Sequence, residues 1–436
     1  MKKYFLTTFG CQMNQADAQR IRGLLSGLGY EETGLEADAD LILYNTCCVR
    51  EHAEQRLLSR IQSLQSQKKK NPDLLIGIAG CVAQAKKDRL FDLLPHVDLV
   101  FGPNDIPTLP LLLQRARQQR ATGAFAAIGG FEGEEADGIL LERPFSALVN
   151  IIRGCTNFCS YCIVPHVRGP EVSRPLPELI DFITNLSRKS VVEITLLGQN
   201  VNAYGKDLGM AEGFSTLLEQ VEQIPGIKWV RFLTSHPRDF STQSIERMAK
   251  LKKLCELFHL PAQAGSDRVL AQMNRGYTRR RYLELVSHVR RAIPDACITT
   301  DLICGFPGET DAEFEETLSL VREVRFEAAY TYYYSPREGT PAASMPELLP
   351  EDERKNRLAR LIEVQNAISE AESRRQVGRT FELLVDGVSE RTPGHLIGKT
   401  RTGRVVDFAG SADLVGTFVQ VQIDRARLWT MSGTLL

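Results

Sequence analysis

From Lys3 to Tyr333 short apolar runs of β character alternate with longer stretches of helical spacing, and this alternation is the strongest constraint on the fold. A strand that is followed by a helix and then another strand pairs in parallel, because the crossover returns the chain to the same end of the sheet. In residues 1–118 the runs Lys3–Thr8, Leu41–Asn45, Leu74–Ala79 and Asp98–Phe101 read as strands, and Ala16–Leu28 and Ala53–Gln67 as helices. They predict a parallel α/β domain of flavodoxin-like type. A second series follows, with strands at Ala147–Ile152, Val192–Leu197, Trp229–Leu233, Glu256–Leu260, Ile298–Ile303 and Ala328–Tyr333. Six βα units fall short of the eight that a closed barrel of ~250 residues requires, so an open, partial (β/α)6 barrel is expected.

Between the two series, Ala121–Gly138 is rich in Ala and Gly and carries Glu132, Glu134, Glu135 and Asp137, which reads as a linker. Glu351–Gln376 reads as a long polar helix. Thr380–Leu436 then changes to β alternation (Phe381, Leu383, Val385; Phe418, Val419, Val421, Ile423) broken by glycines, the pattern of a small antiparallel barrel. The expected division is 1–118, a linker at 119–140, 141–371 and 374–436. With 43% hydrophobic and 25% charged residues the chain can bury ordinary cores. A net charge of −1 excludes a globally basic nucleic-acid binder, so any RNA contact has to come from local patches. No apolar run reaches the ~18–20 residues of a membrane span. The apolar stretch of the opening MKKYFLTTFGC is too short for a secretory signal. A cytoplasmic protein is expected.

Ten cysteines are many for such a protein, and in that compartment clustered thiols serve metals or catalysis more often than disulfides. Cys155, Cys159 and Cys162, in RGCTNFCSYCIVPHVRG, follow a predicted strand at C-x3-C-x2-C spacing. Soft thiolates at this spacing suit an iron–sulfur cluster or zinc, with His166 a possible fourth zinc ligand. Three ligands on a four-iron cluster leave one iron open. Cys11, Cys47 and Cys81 are far apart in sequence, but each follows a predicted strand by a few residues. In a parallel sheet those strand ends share one edge, where α/β proteins place ligands, so the three are expected to converge on a second cluster. Cys48 is expected to point away from Cys47. Cys255, Cys297 and Cys304 read as core.

The triad at Cys155 resembles that of the radical S-adenosylmethionine (SAM) superfamily. With GCQMN (Gly10–Asn14), NTCCVRE (Asn45–Glu51), GCVAQ (Gly80–Gln84), LLGQNVNAYG (Leu196–Gly205), SHPRD (Ser235–Asp239), HLPAQAGS (His259–Ser266), MNRGYTR (Met273–Arg279) and GFPGET (Gly305–Thr310), the chain resembles the methylthiotransferase family, in its tRNA-acting branch. Cys48, Ala262 and Ala264 depart from the residues frequent there. The last segment resembles a TRAM domain, an RNA-binding barrel.

The resemblance implies two 4Fe–4S clusters and two SAM molecules per turnover. It implies methylthiolation of carbon 2 of N(6)-isopentenyl-adenosine beside the anticodon, with an electron donor and a sulfur donor as partners and a monomeric chain. By the family pattern, Gln199, Asn200, Gln263, Ser266, Asp301 and Gly305 would line the SAM pocket. The alternatives are methylthiolation of a ribosomal-protein aspartate or of threonylcarbamoyl-adenosine in tRNA, or a non-catalytic metal-bearing RNA binder. Two basic stretches are candidate RNA contacts: Arg275, Arg279, Arg280, Arg281, Arg290 and Arg291, and then Arg391, Lys399, Arg401 and Arg404. Lys68–Lys70, at a predicted helix end, reads as compensation of the helix dipole.

Overall fold

A computed structural model describes residues 1–47, 51–118, 121–126 and 138–436. Cys48 and the acidic residues of the expected linker lie outside them.

The first domain is a six-stranded, wholly parallel sheet of β1 (Lys2–Thr8), β2 (Tyr30–Glu32), β3 (Leu41–Thr46), β4 (Leu75–Gly80), β5 (Leu99–Phe101) and β6 (Thr122–Ala124), in the order β2-β1-β3-β4-β5-β6. β3 and β4 are buried at every position, which is why Leu41–Tyr44 and Leu75–Gly80 read as apolar runs rather than alternating ones. Helices cover both faces: α1 (Gln12–Gly27), α2 (Glu51–Ser63), α3 (Gln65–Lys70), α4 (Cys81–Lys86), α5 (Arg89–Leu93) and α6 (Leu109–Gln118). Ile21, Leu25, Leu109, Leu112 and Leu113 fill one side, and Leu57, Ile61, Leu64, Leu90 and Leu94 the other. Each such side chain contributes about 1.5–3 kcal/mol of burial. Thr122–Ala124, read as the start of the linker, is instead an edge strand on β5, and its Thr-Gly-Ala sequence carries no β signal of its own. Lys68 does not merely offset a helix dipole. Its Nζ lies 2.9 Å from Asp98 and also meets the carbonyl of Leu74, tying α3 to the sheet.

The second domain holds β7 (Ser146–Asn150), β8 (Ile152–Arg153), β9 (Val172–Ser173), β10 (Glu193–Leu197), β11 (Trp229–Phe232), β12 (Leu257–His259), β13 (Cys297–Cys304) and β14 (Ala328–Tyr333). β7-β10-β11 and β12-β13-β14 are parallel sheets joined by a bridge from Val230 to Leu254, giving a six-stranded open barrel. β8 and β9 form a small antiparallel pair beside it. Around the outside run α7 (Val164–Arg168), α8 (Leu176–Arg188), α9 (Gly213–Glu222), α10 (Thr242–Met248), α11 (Asp267–Gln272), α12 (Arg279–Ala292) and α13 (Asp311–Val324). A capping box between Thr310 and Glu313 starts α13. α14 (Glu351–Arg374) leads to the third domain.

There β15 (Thr380–Val388), β16 (His395–Thr400), β17 (Val405–Ala409), β18 (Phe418–Ala426) and β19 (Thr430–Leu435) close into a barrel. It seats against the second domain through Trp229, Cys255, Phe145 and Leu384, with the Trp229 and Phe418 rings edge to face at 5.0 Å. Among the described residues no helix is long and apolar enough to cross a membrane.

Candidate active site between the first two domains

Cys11 follows β1 and caps α1, Cys47 follows β3, and Cys81 follows β4 and opens α4; these three strands are neighbours in the sheet. Two glycines make the gathering possible. Gly10 (φ +129°) packs so close that an added Cβ would sit 2.2 Å from Cys47 Cβ, and one on Gly80 (φ +91°) would sit 2.5 Å from the Thr46 carbonyl. Two asparagines lock the edge. Asn14 Nδ2 donates to the Thr46 carbonyl at 2.9 Å, Asn45 Nδ2 donates to the Asn14 carbonyl at 2.6 Å, and the Cys11 thiol donates to Asn14 Oδ1 at 3.3 Å. Asn14 stands in the GCQMN motif and Asn45 in NTCCVRE, but motif membership alone assigns neither this role. Their signal was polarity at the end of an apolar run. Cys47 hydrogen-bonds Cys11, and together with Arg168 this holds the Cys11 thiol down at about 6, favouring the thiolate that a metal requires.

The other triad sits in the loop between β8 and α7. Cys162 N–H closes a turn on the Cys159 carbonyl at 2.9 Å, and Cys155 N–H donates to Gly169 at 3.1 Å. The MNRG stretch clamps this loop. Ser160 N–H and Oγ donate to the carbonyls of Met273 and Gln272, and Asn274 donates to the Phe158 carbonyl at 2.9 Å. Arg275 Nη1 reaches Cys159 Sγ at 3.2 Å. Burial pushes Cys155 up to about 11 and Cys162 up to about 12, so loading a metal here would release protons.

The segments that carry the two triads pack together. Ile163, next to Cys162, packs against the cluster of Cys81, Val82 and Val167. Arg168, at the end of α7, pairs with Asp17 of α1 at 2.9 Å and hydrogen-bonds Cys81 across the domain boundary. Among the described residues no group of three His, Cys, Asp or Glu is gathered tightly enough for a single metal ion. A four-iron cluster asks for something else, thiols that ring a space, because each binds a different corner.

A cavity of ≈ 480 Å³ runs from Gly10–Met13 down the open barrel, past His259, Thr299, Asp301, Tyr330 and Tyr332, to Arg404 and Trp429 of the third domain. Asp301 lies on this wall with its carboxylate 3.4 Å from His259 Nε2. The other expected SAM contacts divide. Gln199 and Gln263 each keep a buried side-chain oxygen with no hydrogen-bond partner among the described residues, and Gln263 holds φ at +72°, while neither lines this cavity. Asn200 is occupied by Asp239 (2.7 Å) and by the N–H of His236 (3.2 Å), Ser266 Oγ by Glu313 (3.3 Å), and the Gly305 N–H by Glu309 (2.6 Å). Cys255 and Cys304 are buried in packed apolar clusters. Cys297 is equally buried, yet it lines the cavity.

Both basic stretches look different in three dimensions. Arg275 is buried at the Cys159 loop, Arg279 pairs with Glu323 at 2.9 Å and Arg290 donates to the Val324 carbonyl, which leaves Arg280, Arg281 and Arg291 at the surface. In the third domain Lys399 pairs with Asp386 at 2.8 Å, Arg404 donates to Ser373 at 3.0 Å, and Arg401 holds Glu256 of the barrel at 2.8 Å. Three of these four residues therefore serve internal contacts, and Arg391 remains exposed.

Family models match three stretches: the uncharacterized protein family UPF0004 at residues 3–102, the radical SAM superfamily at 149–321 and the TRAM domain at 374–436. A protein of Pelotomaculum thermopropionicum named tRNA-2-methylthio-N(6)-dimethylallyladenosine synthase is 46% identical over 439 residues, covering 100% of this chain and 98% of the relative. One of the same name from Carboxydothermus hydrogenoformans is 45% identical over 441 residues, covering 100% and 99%. Among solved structures, the radical SAM methyltransferase TsrM from Kitasatospora setae superposes with a TM-score of 0.55 at 13% identity, covering 79% of this chain and 74% of that one. The cobalamin-dependent SAM radical enzyme OxsB gives 0.53 at 10% identity, covering 84% and 58%. These two likenesses speak to the fold alone.

Proposed function

Since the chain belongs to the family of tRNA-2-methylthio-N(6)-dimethylallyladenosine synthases, we propose that its two cysteine triads divide the reaction of that family between them. The enzyme is a radical SAM methylthiotransferase acting on tRNA, and it works with SAM and 4Fe–4S clusters. Cys155, Cys159 and Cys162 would hold the cluster that binds SAM, and Cys11, Cys47 and Cys81 the auxiliary cluster. When bound, these groups supply the electron that cleaves SAM, the radical that takes hydrogen from carbon 2 of the adenine, and the methylthio group that replaces it.

The chain's own part is placement. Met273–Arg275 fix the Cys159 loop, Asn14 and Asn45 fix the strand-end edge, and Ile163 and Arg168 bring the two together. The packing of Ile163 against the cluster of Cys81, Val82 and Val167 carries the reading, because a sulfur can be inserted at a radical carbon only if both sites reach the same base. Gln199 and Gln263, with their unpartnered buried oxygens, are the strongest of the six candidate SAM contacts. Asp301, on the cavity wall, would face the adenine. Asn200, Ser266 and Gly305 would shape the pocket through the bonds they already make.

We assign residues 1–118, together with the edge strand Thr122–Ala124, to the auxiliary-cluster domain, 141–371 to the radical SAM domain and 374–436 to the TRAM domain. A one-electron donor, a sulfur donor, a monomeric state and a cytoplasmic setting complete the proposal. Nucleoside analysis of tRNA from cells lacking the gene tests it. Loss of the 2-methylthio group with the isopentenyl group retained, restored by the intact gene but by neither triple Cys→Ala variant, is the expected result. An unchanged nucleoside profile would overturn it.

A further inference from the structure

The SHPRD stretch after β11 supplies no ligand to either triad, yet its histidine is closely held. His236 is 4% exposed. Its Nδ1 accepts the Arg238 N–H at 3.2 Å, its own backbone N–H donates to Asn200 Oδ1 at 3.2 Å, and its ring stands edge to face with Tyr277 at 5.8 Å. Arg238 in turn bonds Asn157 of the cysteine loop, and Asn200 donates to Asp239 at 2.7 Å. Burial first, and then the charge of Arg275, push the imidazole down to about 2 against the pull of Asp239, so the ring is neutral. A neutral imidazole whose Nδ1 accepts a hydrogen bond carries its single proton on Nε2. That Nε2 is buried and has no hydrogen-bond partner among the described residues. A buried donor left in this state is costly unless an acceptor arrives. The side-chain oxygens of Gln199, just past β10, and of Gln263, just past β12, are in the same condition. β10, β11 and β12 are successive parallel strands of the open barrel, so all three groups stand at one end of it, the end that carries the Cys155–Cys162 loop.

We propose that His236 is a SAM-binding residue that gives its Nε2–H to an acceptor oxygen of the cofactor, and that Asn200 acts through His236 rather than on SAM itself. The inference deepens the proposed function and rests on it, since it requires the cluster at Cys155, Cys159 and Cys162 to bind SAM. One fixed donor between two amide oxygens suits a ligand that carries both acceptors and donors, and SAM has carboxylate and hydroxyl oxygens together with amino and hydroxyl donors. Each neighbour of His236 has a task in this arrangement. The Arg238 N–H selects the tautomer, the Asn200 amide fixes the backbone from which the ring projects, and the bond from Arg238 to Asn157 seats the ring against the cysteine loop.

The test is the SAM affinity of the full chain, reconstituted anaerobically and measured by equilibrium dialysis, with iron per chain as the check on each variant. Two substitutions separate the two nitrogens of the ring. Asn reproduces the acceptor at Nδ1 and removes the outward donor, whereas Gln reproduces the outward donor and removes the inward acceptor. His236→Asn is expected to weaken SAM binding about tenfold, the effect of one lost hydrogen bond, and His236→Gln to stay within about threefold of the parent. Unchanged affinity in both variants, or a loss in His236→Gln as large as that in His236→Asn or larger, marks a histidine that serves packing alone and overturns the proposal. A loss confined to tRNA affinity overturns it as well, because the donor would then serve the substrate. Should His236→Asn fail to load iron, His236→Gln decides alone: affinity within about threefold of the parent supports the inference, and a greater loss overturns it. A parent chain that loads iron at both triads yet binds no SAM would instead overturn the assignment of the SAM-binding cluster to Cys155, Cys159 and Cys162.

Discussion

Replacing Arg401 with Ala should loosen the third domain rather than weaken phosphate binding. Its guanidinium meets the Glu256 carboxylate at 2.9 Å (Nε to Oε2) and 2.8 Å (Nη2 to Oε1), and the carbonyls of Leu254 and Lys252 at 2.5 and 3.0 Å. From the other side Arg231 donates to the carbonyls of Thr400 and Arg401. The Arg401 and Glu256 side chains are 26% and 24% exposed, so water can partly replace what is lost. A bidentate pair at this depth contributes about 1 kcal/mol, and each bond to a carbonyl about 0.5–1 kcal/mol. The sum is about 2–3 kcal/mol, or a 30- to 150-fold rise in the undocked population at ~1.4 kcal/mol per tenfold. Hydrogen exchange of Thr380–Leu435 in the native chain measures this directly, because opening of the domain exposes strands that are otherwise protected. A double-mutant cycle with Glu256→Ala should return a coupling of about 1 kcal/mol. If Arg401→Ala left exchange unchanged while flattening the salt dependence of tRNA binding, the residue would be a phosphate contact and this reasoning would fail.

Other substitutions probe the site and the surface. Gly80→Ala forces a Cβ to within 2.5 Å of the Thr46 carbonyl and should displace Cys81, so iron per chain falls by about half while SAM cleavage without tRNA persists. Arg280, Arg281 and Arg291 remain as the exposed cations of their stretch. Replacing them with Ala should lower the slope of log affinity for tRNA against log salt by about 0.7–0.9 for each true phosphate contact, and an unchanged slope would mark them as a solvated face. Glu313 is held down at about 2, chiefly by its bond to Arg268. A depressed carboxylate stabilises fully above its ordinary pKa of about 4.5 and ceases to do so as pH falls through about 2. In urea titrations of the metal-free chain, the gap between the parent and Glu313→Gln should therefore be widest above pH 5 and shrink steadily on acidification. A gap independent of pH would contradict the assignment.

The sheet, the open barrel and the two triads were legible in the sequence because each rests on a local pattern with one structural meaning. β4 and the first four residues of β3 are apolar since both faces are buried, and a cysteine just past a parallel strand can lie only at one edge of the sheet. The edge strand Thr122–Ala124 was not legible, because its pairing with β5 comes from tertiary position and not from its residues. The arginines misled for a related reason. Charge counted along a chain says nothing of which acid lies opposite in space: Arg275, Arg279 and Arg401 turn inward to partners 44 or more residues away, and Lys399 to one across a hairpin. Asn14, Asn45 and Arg168 belong to the site by contacts that cross from one domain or strand to another, and no spacing rule would have found them.

The central claim is that two separate triads hold two clusters with separate tasks, and iron content read together with SAM cleavage tests it most directly. The anaerobically reconstituted chain should bind about eight irons, and each triple variant, Cys11/Cys47/Cys81→Ala or Cys155/Cys159/Cys162→Ala, about four. The first variant should still cleave SAM, since the Arg275-clamped loop is untouched, yet form no methylthiolated nucleoside; the second should do neither. If the chain bound only about four irons, or if the first variant kept both its full iron and its product, the account of two separate clusters would be contradicted.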